Sequence, residues 1–394
     1  MICYSSKTTV FAYDKAIRDK GCGRKSYGKR WFFLVSRYFL GGASPYGFAS
    51  DFAAEQKGKY GILLKGGPGT GKSTLMRTVA SVFADEEVTV YHCASDPRSL
   101  DAVVLEERGA FITDATAPHE MSTPLPYVTG ELVDMAQALD PLVLVEKAAT
   151  IKARSAENGA LHQQCRSILT AVSAMQSISY EIGMQALQQE KLSAYAKRMS
   201  KRLMPKVSQR KGQSGQICYR QCSAITPQGD QLFLPPDYGV VLLRDSHHAA
   251  ACNFIDALAV ILTQSGVSCI ASRCLTLPRM QPVHLLIPQC KVAILSEHML
   301  GEKIPSPLTE ISLKRFYDAE ILRRQRTLHR FADQHATLLK ARAVAVLQDA
   351  LTVHDALETP YIEALKRDTL DDITVTVCET IRKRFQREYK MSVR

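Results

Sequence analysis

Two stretches of this chain share one outline. YGILLKGGPGTGKSTLM at 60–76 and YGVVLLRDSHHAAACNF at 238–254 fall into register with Tyr60 on Tyr238, Gly61 on Gly239 and Leu64 on Leu242, an offset of 178 residues. The same offset places Ala186 and Leu187 on Ala364 and Leu365 far downstream. Shorter matches lie upstream and between: Ser44, Pro45 and Gly47 against Thr226, Pro227 and Gly229, and RGAFITD against CKVAILS. Whatever unit the first half forms, the second must form again. The fold class this predicts is α/β, a tandem duplication of parallel-sheet cores, each followed by a helical arm. The expected boundaries are an N-terminal extension at 1–37, a first core at 38–140, an arm at 141–211, a second core at 212–310 and a second arm at 311–394.

The first copy carries the chemistry. LLKGGPGTGKST reads as a strand, a glycine-rich turn and a helix start, and residues 66–73 satisfy G-x-x-x-x-G-K-[ST], the P-loop pattern. Backbone amides must converge on a phosphate there, in conformations and at a closeness that a Cβ would obstruct, hence Gly66, Gly67, Gly69 and Gly71. Pro68 and Thr70 complete the turn. Lys72 is expected on the β- and γ-phosphates of ATP and Ser73 on Mg²⁺, while Thr74 begins a helix whose positive end faces the same phosphates.

Such a loop needs a carboxylate near the metal, at the end of a neighbouring strand. Asp114, closing GAFITD, is the candidate; Glu146, closing PLVLVE, reads better as part of a helix start. The strand VTVYHC should end on the same edge as the loop, which puts Asp96 and Asp101 in a connection near the phosphates. Either could position water or contact a substrate; equally, Asp96 could form a turn before Pro97 and Asp101 cap a helix. His119 follows Asp114 closely enough to reach the same cleft.

In the second copy Gly66 becomes Arg244, Gly69 becomes His247, Gly71 becomes Ala249, Lys72 becomes Ala250 and Ser73 becomes Ala251. The counterpart of Asp114 is Ser296 or Glu297. The apolar skeleton survives and the phosphate chemistry does not. His247 and His248 read more simply as surface loop histidines than as a new site.

The strings GGASPYGF at 41–48, KGGPGTGKS at 65–73, HCASDPRSLDAVV at 92–104 and AFITDATAPH at 110–119 together resemble an uncharacterised family of bacterial two-module P-loop ATPases. The resemblance runs over roughly residues 38–390. It implies an ATP-binding protein and brings no substrate with it. The family's second module often keeps glycine-rich loop character, from which this chain departs.

Composition narrows the rest. A chain of 394 residues with 46% hydrophobic and 23% charged residues is ordinary globular material, too long for one typical core. There is no signal-like N-terminus and no membrane-length apolar run, so a cytoplasmic protein without a membrane partner is expected. The 11 scattered cysteines do not suggest a disulfide framework, and the close pairs Cys218/Cys222 and Cys269/Cys274 lack the second pair a zinc site needs. Residues 142–204 and 311–388 carry helical periodicity, with one interior break at ENGA, and suit a lid, a homo-oligomer surface or a lever for a protein or substrate partner. The net charge of +11 gathers partly on the arms, at Lys197, Arg198, Lys201, Arg202, Lys206, Arg210 and Lys211, and at Arg323, Arg324, Arg326 and Arg330. Aromatic residues are too sparse among them to favour nucleic acid over a solvated helix face. The function expected is a Mg²⁺-dependent ATP hydrolase with one active site in the first half and a pseudo-site in the second. A small-molecule kinase and a nucleotide-gated binding module are the alternatives.

Overall fold

The computed structural model describes residues 35–117, 120–203, 214–300 and 306–392. His119, most of the N-terminal extension and the basic residues Lys206, Arg210 and Lys211 lie outside the described residues.

The first half runs β1 (Val35–Phe39), a hairpin of β2 (Gly42–Ser44) and β3 (Gly47–Ala49), β4 (Tyr60–Lys65), α1 (Lys72–Val82), β5 (Val88–His92), β6 (Leu100–Leu105), β7 (Ala110–Asp114) and β8 (Gly130–Asp134). Its arm follows as α2 (Pro141–Glu146), α3 (Ala148–Ala186) and α4 (Gln189–Leu203). The second half repeats the series: β9 (Ile217–Tyr219), β10 (Ser223–Thr226), β11 (Gly229–Leu232), β12 (Gly239–Arg244), α5 (Ala249–Gln264), β13 (Cys269–Arg273), β14 (Pro282–Ile287), β15 (Val292–Ser296) and β16 (Thr309–Ser312). It ends with α6 (Ala319–Arg324), α7 (Arg326–Ala364) and α8 (Arg367–Ser392).

The fold is α/β with two six-stranded sheets of matching order, β1-β5-β6-β7-β4-β8 and β9-β13-β14-β15-β12-β16. Pairing is parallel except around β6 and β14, which run against both neighbours. LDAVVL is therefore a strand, and Asp101 lies on it rather than in a loop or at a helix cap. The run carries β-branched residues and is buried throughout, which favours a central strand over a helix.

Strand alternation gives each sheet two apolar faces. Leu63, Tyr91, Val104 and Phe111 of the first sheet meet Val240, Leu242, Leu286 and Leu295 of the second, so the sheets pack face to face. On its outer face the first sheet presents Ile62, Leu64, Val103 and Ile112 to Leu75, Met76 and Val79 of α1. It also receives Leu370, Val377 and Ile381 of α8, from the second arm. Reciprocally, Leu192, Ala196 and Met199 of α4, from the first arm, join Phe254, Ile255 and Leu258 of α5 on the second sheet. The arms are exchanged between the halves.

The exchange follows from α3 and α7, which are 39 residues each, roughly 58 Å at the usual helical rise. They pack antiparallel, with Leu139 bridged to Leu365 and Leu187 to Tyr317. Adding 178 to Leu139 and Leu187 gives Tyr317 and Leu365, so the two bridges interchange under the repeat. Cys165 Sγ lies 3.9 Å from the carbonyl of Ala343, its own counterpart, which marks a pseudo-twofold axis crossing the helix pair. The expected break at ENGA is absent: α3 continues through Gly159, whose α-carbon faces open space. A solvent-facing glycine costs a helix about 1 kcal/mol, which the packing of so long a helix outweighs.

Candidate functional site

The P-loop stretch joins β4 to α1 at the edge where β5 and β7 also end. Gly69 and Gly71 take left-handed backbone angles, φ 69° and 85°, which a side chain would strain. Pro68 is half-buried, and Thr70 is buried with its hydroxyl donating to the Gly67 carbonyl at 2.8 Å. Lys72 folds over the turn, its ammonium donating to the carbonyls of Gly66 and Gly67 at 2.6 and 2.7 Å. It lies 3.5 Å from Asp114, which closes the strand next to β4. Thr116, which the sequence did not single out, clamps the loop: its hydroxyl donates to the Gly66 carbonyl at 2.9 Å and its amide donates to Asp114 at 2.8 Å.

Ser73 Oγ accepts from the Leu100 amide at 2.9 Å and, more weakly, from Arg77 Nε at 3.4 Å. That contact brings the start of β6 to the loop, and with it Asp101. Burial, and next the charge of Asp114, push the Asp101 carboxyl up to about 7. Asp96 is otherwise engaged: it accepts from Arg98 Nε and from the Ser99 hydroxyl, each at 2.8 Å. Burial raises its pKa, but those bonds outweigh it and hold the carboxyl below its ordinary range. Asp96 thus forms the turn after β5. Thr74 is exposed, and its carbonyl accepts from Thr78 one turn on. PLVLVE is helical, as expected, but Glu146 closes the short helix α2 rather than opening a longer one.

The second arm covers this loop. Gly69 N donates to Glu358 Oε1 at 3.1 Å. A Cβ on Gly67 would lie 3.0 Å from the Tyr361 ring, and one on Gly71 2.6 Å from Leu370. Glu358, Tyr361 and Leu370 lie almost 300 residues from the loop, and no local pattern marks them.

The second copy is built differently. Six residues (66–71) separate β4 from α1, but only four (245–248) separate β12 from α5. The amides of Tyr60 and Gly239 make equivalent bonds to Gly109 and Lys291, so the strands align at 179 and the helix starts, Lys72 and Ala249, at 177. The uniform offset of 178 misassigns the loop: Arg244 matches Lys65 rather than Gly66, and Ala249 matches Lys72. Arg244 points outward to Glu310 and Glu297. The amides at the start of α5 are consumed internally, with Asp245 accepting from Ala251 N at 2.8 Å and Tyr317 Oη accepting from Ala250 N at 2.7 Å. Tyr317 in turn donates to Asp245 at 2.8 Å.

His247 and His248 are not surface histidines. His247 is 8% exposed, with its ring 3.9 Å from that of His329, and His248 lies 4.5 Å from the His298 ring. Burial holds both near 4. The first arm covers His247, since a Cβ on Gly183 of α3 would meet the Cβ atoms of Ala249 and His247 at 2.8 and 2.9 Å.

Among the described residues, no group of three or more His, Cys, Asp or Glu side chains is placed to hold a metal, and no helix is long and apolar enough to cross a membrane. Lys197, Arg198, Lys201 and Arg202 lie on the exposed face of α4, and Arg323 and Arg324 pair with Glu320. No family model matches the chain, and neither the curated proteins nor the solved structures provide a match.

Proposed function

We propose that this protein binds Mg²⁺·ATP at residues 66–74 and hydrolyses it, with the second half as a pseudo-site. One observation carries the reading: a loop with two left-handed glycines joins strand to helix and sets Lys72 within 3.5 Å of a carboxylate on the adjacent strand end. Amides of such a loop and a helix start favour polyphosphate. The carbonyls now holding the Lys72 ammonium are weak partners beside a phosphate oxygen, so the side chain can turn to the β- and γ-phosphates.

The residues suit Mg²⁺. This ion keeps several waters and takes one or two protein oxygens plus phosphate, so a preformed protein cage is not required. Ser73 Oγ could serve once its long contact to Arg77 is released, and Asp114 could hold a metal-bound water. Bound Mg²⁺ would neutralise charge developing on the phosphates. Asp101, pushed up to about 7, is poised to exchange a proton near neutral pH. That property also suits a base for an acceptor hydroxyl, which keeps a small-molecule kinase as the second reading. The resemblance to bacterial two-module P-loop ATPases agrees with either.

The test is calorimetric titration with ATP and Mg²⁺, with turnover measured in parallel. Lys72→Ala should lower affinity or turnover by at least tenfold while the protein stays folded, and Arg244→Ala should change neither. Turnover in Lys72→Ala equal to that of the wild type would refute the reading. Turnover that appears only with an added acceptor would select the kinase.

A further inference from the structure

We propose that Glu358, delivered by the second half's arm, is a built-in competitor for nucleotide phosphate, so that ATP binding and release of the arm from the loop are one event. This inference rests on the nucleotide reading of residues 66–74.

The Gly69 amide is one of the donors a P-loop turns toward phosphate oxygens, and it already donates to Glu358 Oε1 at 3.1 Å. A carboxylate offers the same charge and acceptor chemistry as a phosphate edge. One N–H cannot serve both at full strength. The occupancy is also steric: the Glu358 carbonyl oxygen lies 2.8 Å from where a Cβ of Gly69 would stand, and the Tyr361 ring covers Gly67.

The contact is supported on both sides. His354, one turn earlier on α7, lies 3.4 Å from the bonded carboxylate oxygen, and Asp355 reaches Arg98 beside the loop at 3.3 Å. Glu358 nevertheless keeps about a third of its side chain exposed, so it can withdraw into water without leaving a buried charge. The second half provides the contrast. Its helix-start amides are filled by Asp245, a residue of the same short loop, 3% exposed and tied to Tyr317. That carboxylate is buried and held within its own loop, with the His247 amide also donating to it. The filling of the first loop comes from a helix anchored at the other half, so displacing it transmits occupancy along α7.

The experiment uses the full chain and its Glu358→Gln, Glu358→Ala and Lys72→Ala variants, titrated with ATP·Mg²⁺ and separately with tripolyphosphate. Removing the competitor should tighten both ligands by about tenfold or more, the value of one charge-assisted hydrogen bond. Amide hydrogen exchange over 352–364 should rise on ATP addition in the wild type and be raised without ligand in Glu358→Ala. Unchanged or weaker affinity in both Glu358 variants, with Lys72→Ala abolishing binding, would overturn the competitor while leaving the nucleotide site standing. Turnover lost at unchanged affinity would overturn it too, making Glu358 part of the chemistry. No binding by any form, Glu358→Ala included, would overturn both proposals.

Discussion

The contact between the two halves is most sharply tested at Arg220. It lies between β9 and β10 of the second half and reaches Glu55 of the first, with Nε to Oε1 at 2.7 Å and a second nitrogen to Oε2 at 3.1 Å. Glu55 is 4% exposed and the guanidinium stacks 5.2 Å from the Tyr38 ring centroid. In Arg220→Ala the carboxylate stays buried with only Lys59, at 3.9 Å, and the weak Cys218 thiol donor, at 3.5 Å. Breaking one side of a buried pair costs about 3–5 kcal/mol, and the remaining lysine places this case near 3. The pH dependence separates lost charge pairing from lost packing. Burial raises the Glu55 pKa, but the hydrogen bonds and charge of Arg220 outweigh it, so the folded value lies below the unfolded one. The stability it contributes is complete above the unfolded value, about 4.3, and is lost as pH falls through the folded value. Without Arg220, burial dominates and the sign reverses. Urea unfolding followed by circular dichroism should therefore show a gap between wild type and variant that is widest at pH 7 and narrows toward pH 4. Arg220→Met combined with Glu55→Gln should recover most of the loss. A gap under 1 kcal/mol, or one equally wide at both pH values, would refute the argument.

Gly71→Ala should cost at least about 1–3 kcal/mol, from a side chain at φ 85° and from the clash with Leu370 at 2.6 Å. Leu370→Ala alone should cost about 2–4 kcal/mol, and the double variant less than the sum, read from thermal unfolding. His284 is fully buried and burial lowers its pKa to about 4. Its unfolded form takes up a proton from about pH 6.5 downward, so stability should fall between there and pH 4, by up to about 3 kcal/mol for this residue. His284→Gln should flatten that acid limb, as followed by denaturant midpoints across the range.

What the sequence made legible was local. The loop between β4 and α1 was legible because four glycines, a lysine and a serine sit within eight residues, and Asp114 because a strand ends on it. The duplication was visible in the apolar skeleton, which packing preserves on both sheets. The arms' periodicity gave helices but not partners: an amphipathic face records that something covers it, not what. Hence the exchange of α4 and α8, the burial of His247 and the reach of Glu358 stayed hidden. Asp101 was misplaced because the turn before it resembles a helix start, and only the neighbouring strands decide in favour of extension. The second loop was misaligned because matching flanks on both sides spread a two-residue shortening evenly across a segment with no shared residue to anchor it.

The crossed arms make the molecule a knot of two obligate halves. A polypeptide cut after Leu203 would leave the outer side of α1 bare and carry a helix, α4, with nothing to shelter. The complementary piece would suffer the same two defects in reverse. Each would hold what the other lacks, so the fragments should be insoluble apart and reunite when made together. A lineage could lose the glycines, lysine and serine of the loop in one repeat, which the second repeat of this chain lacks, but could not discard the repeat itself without losing the other.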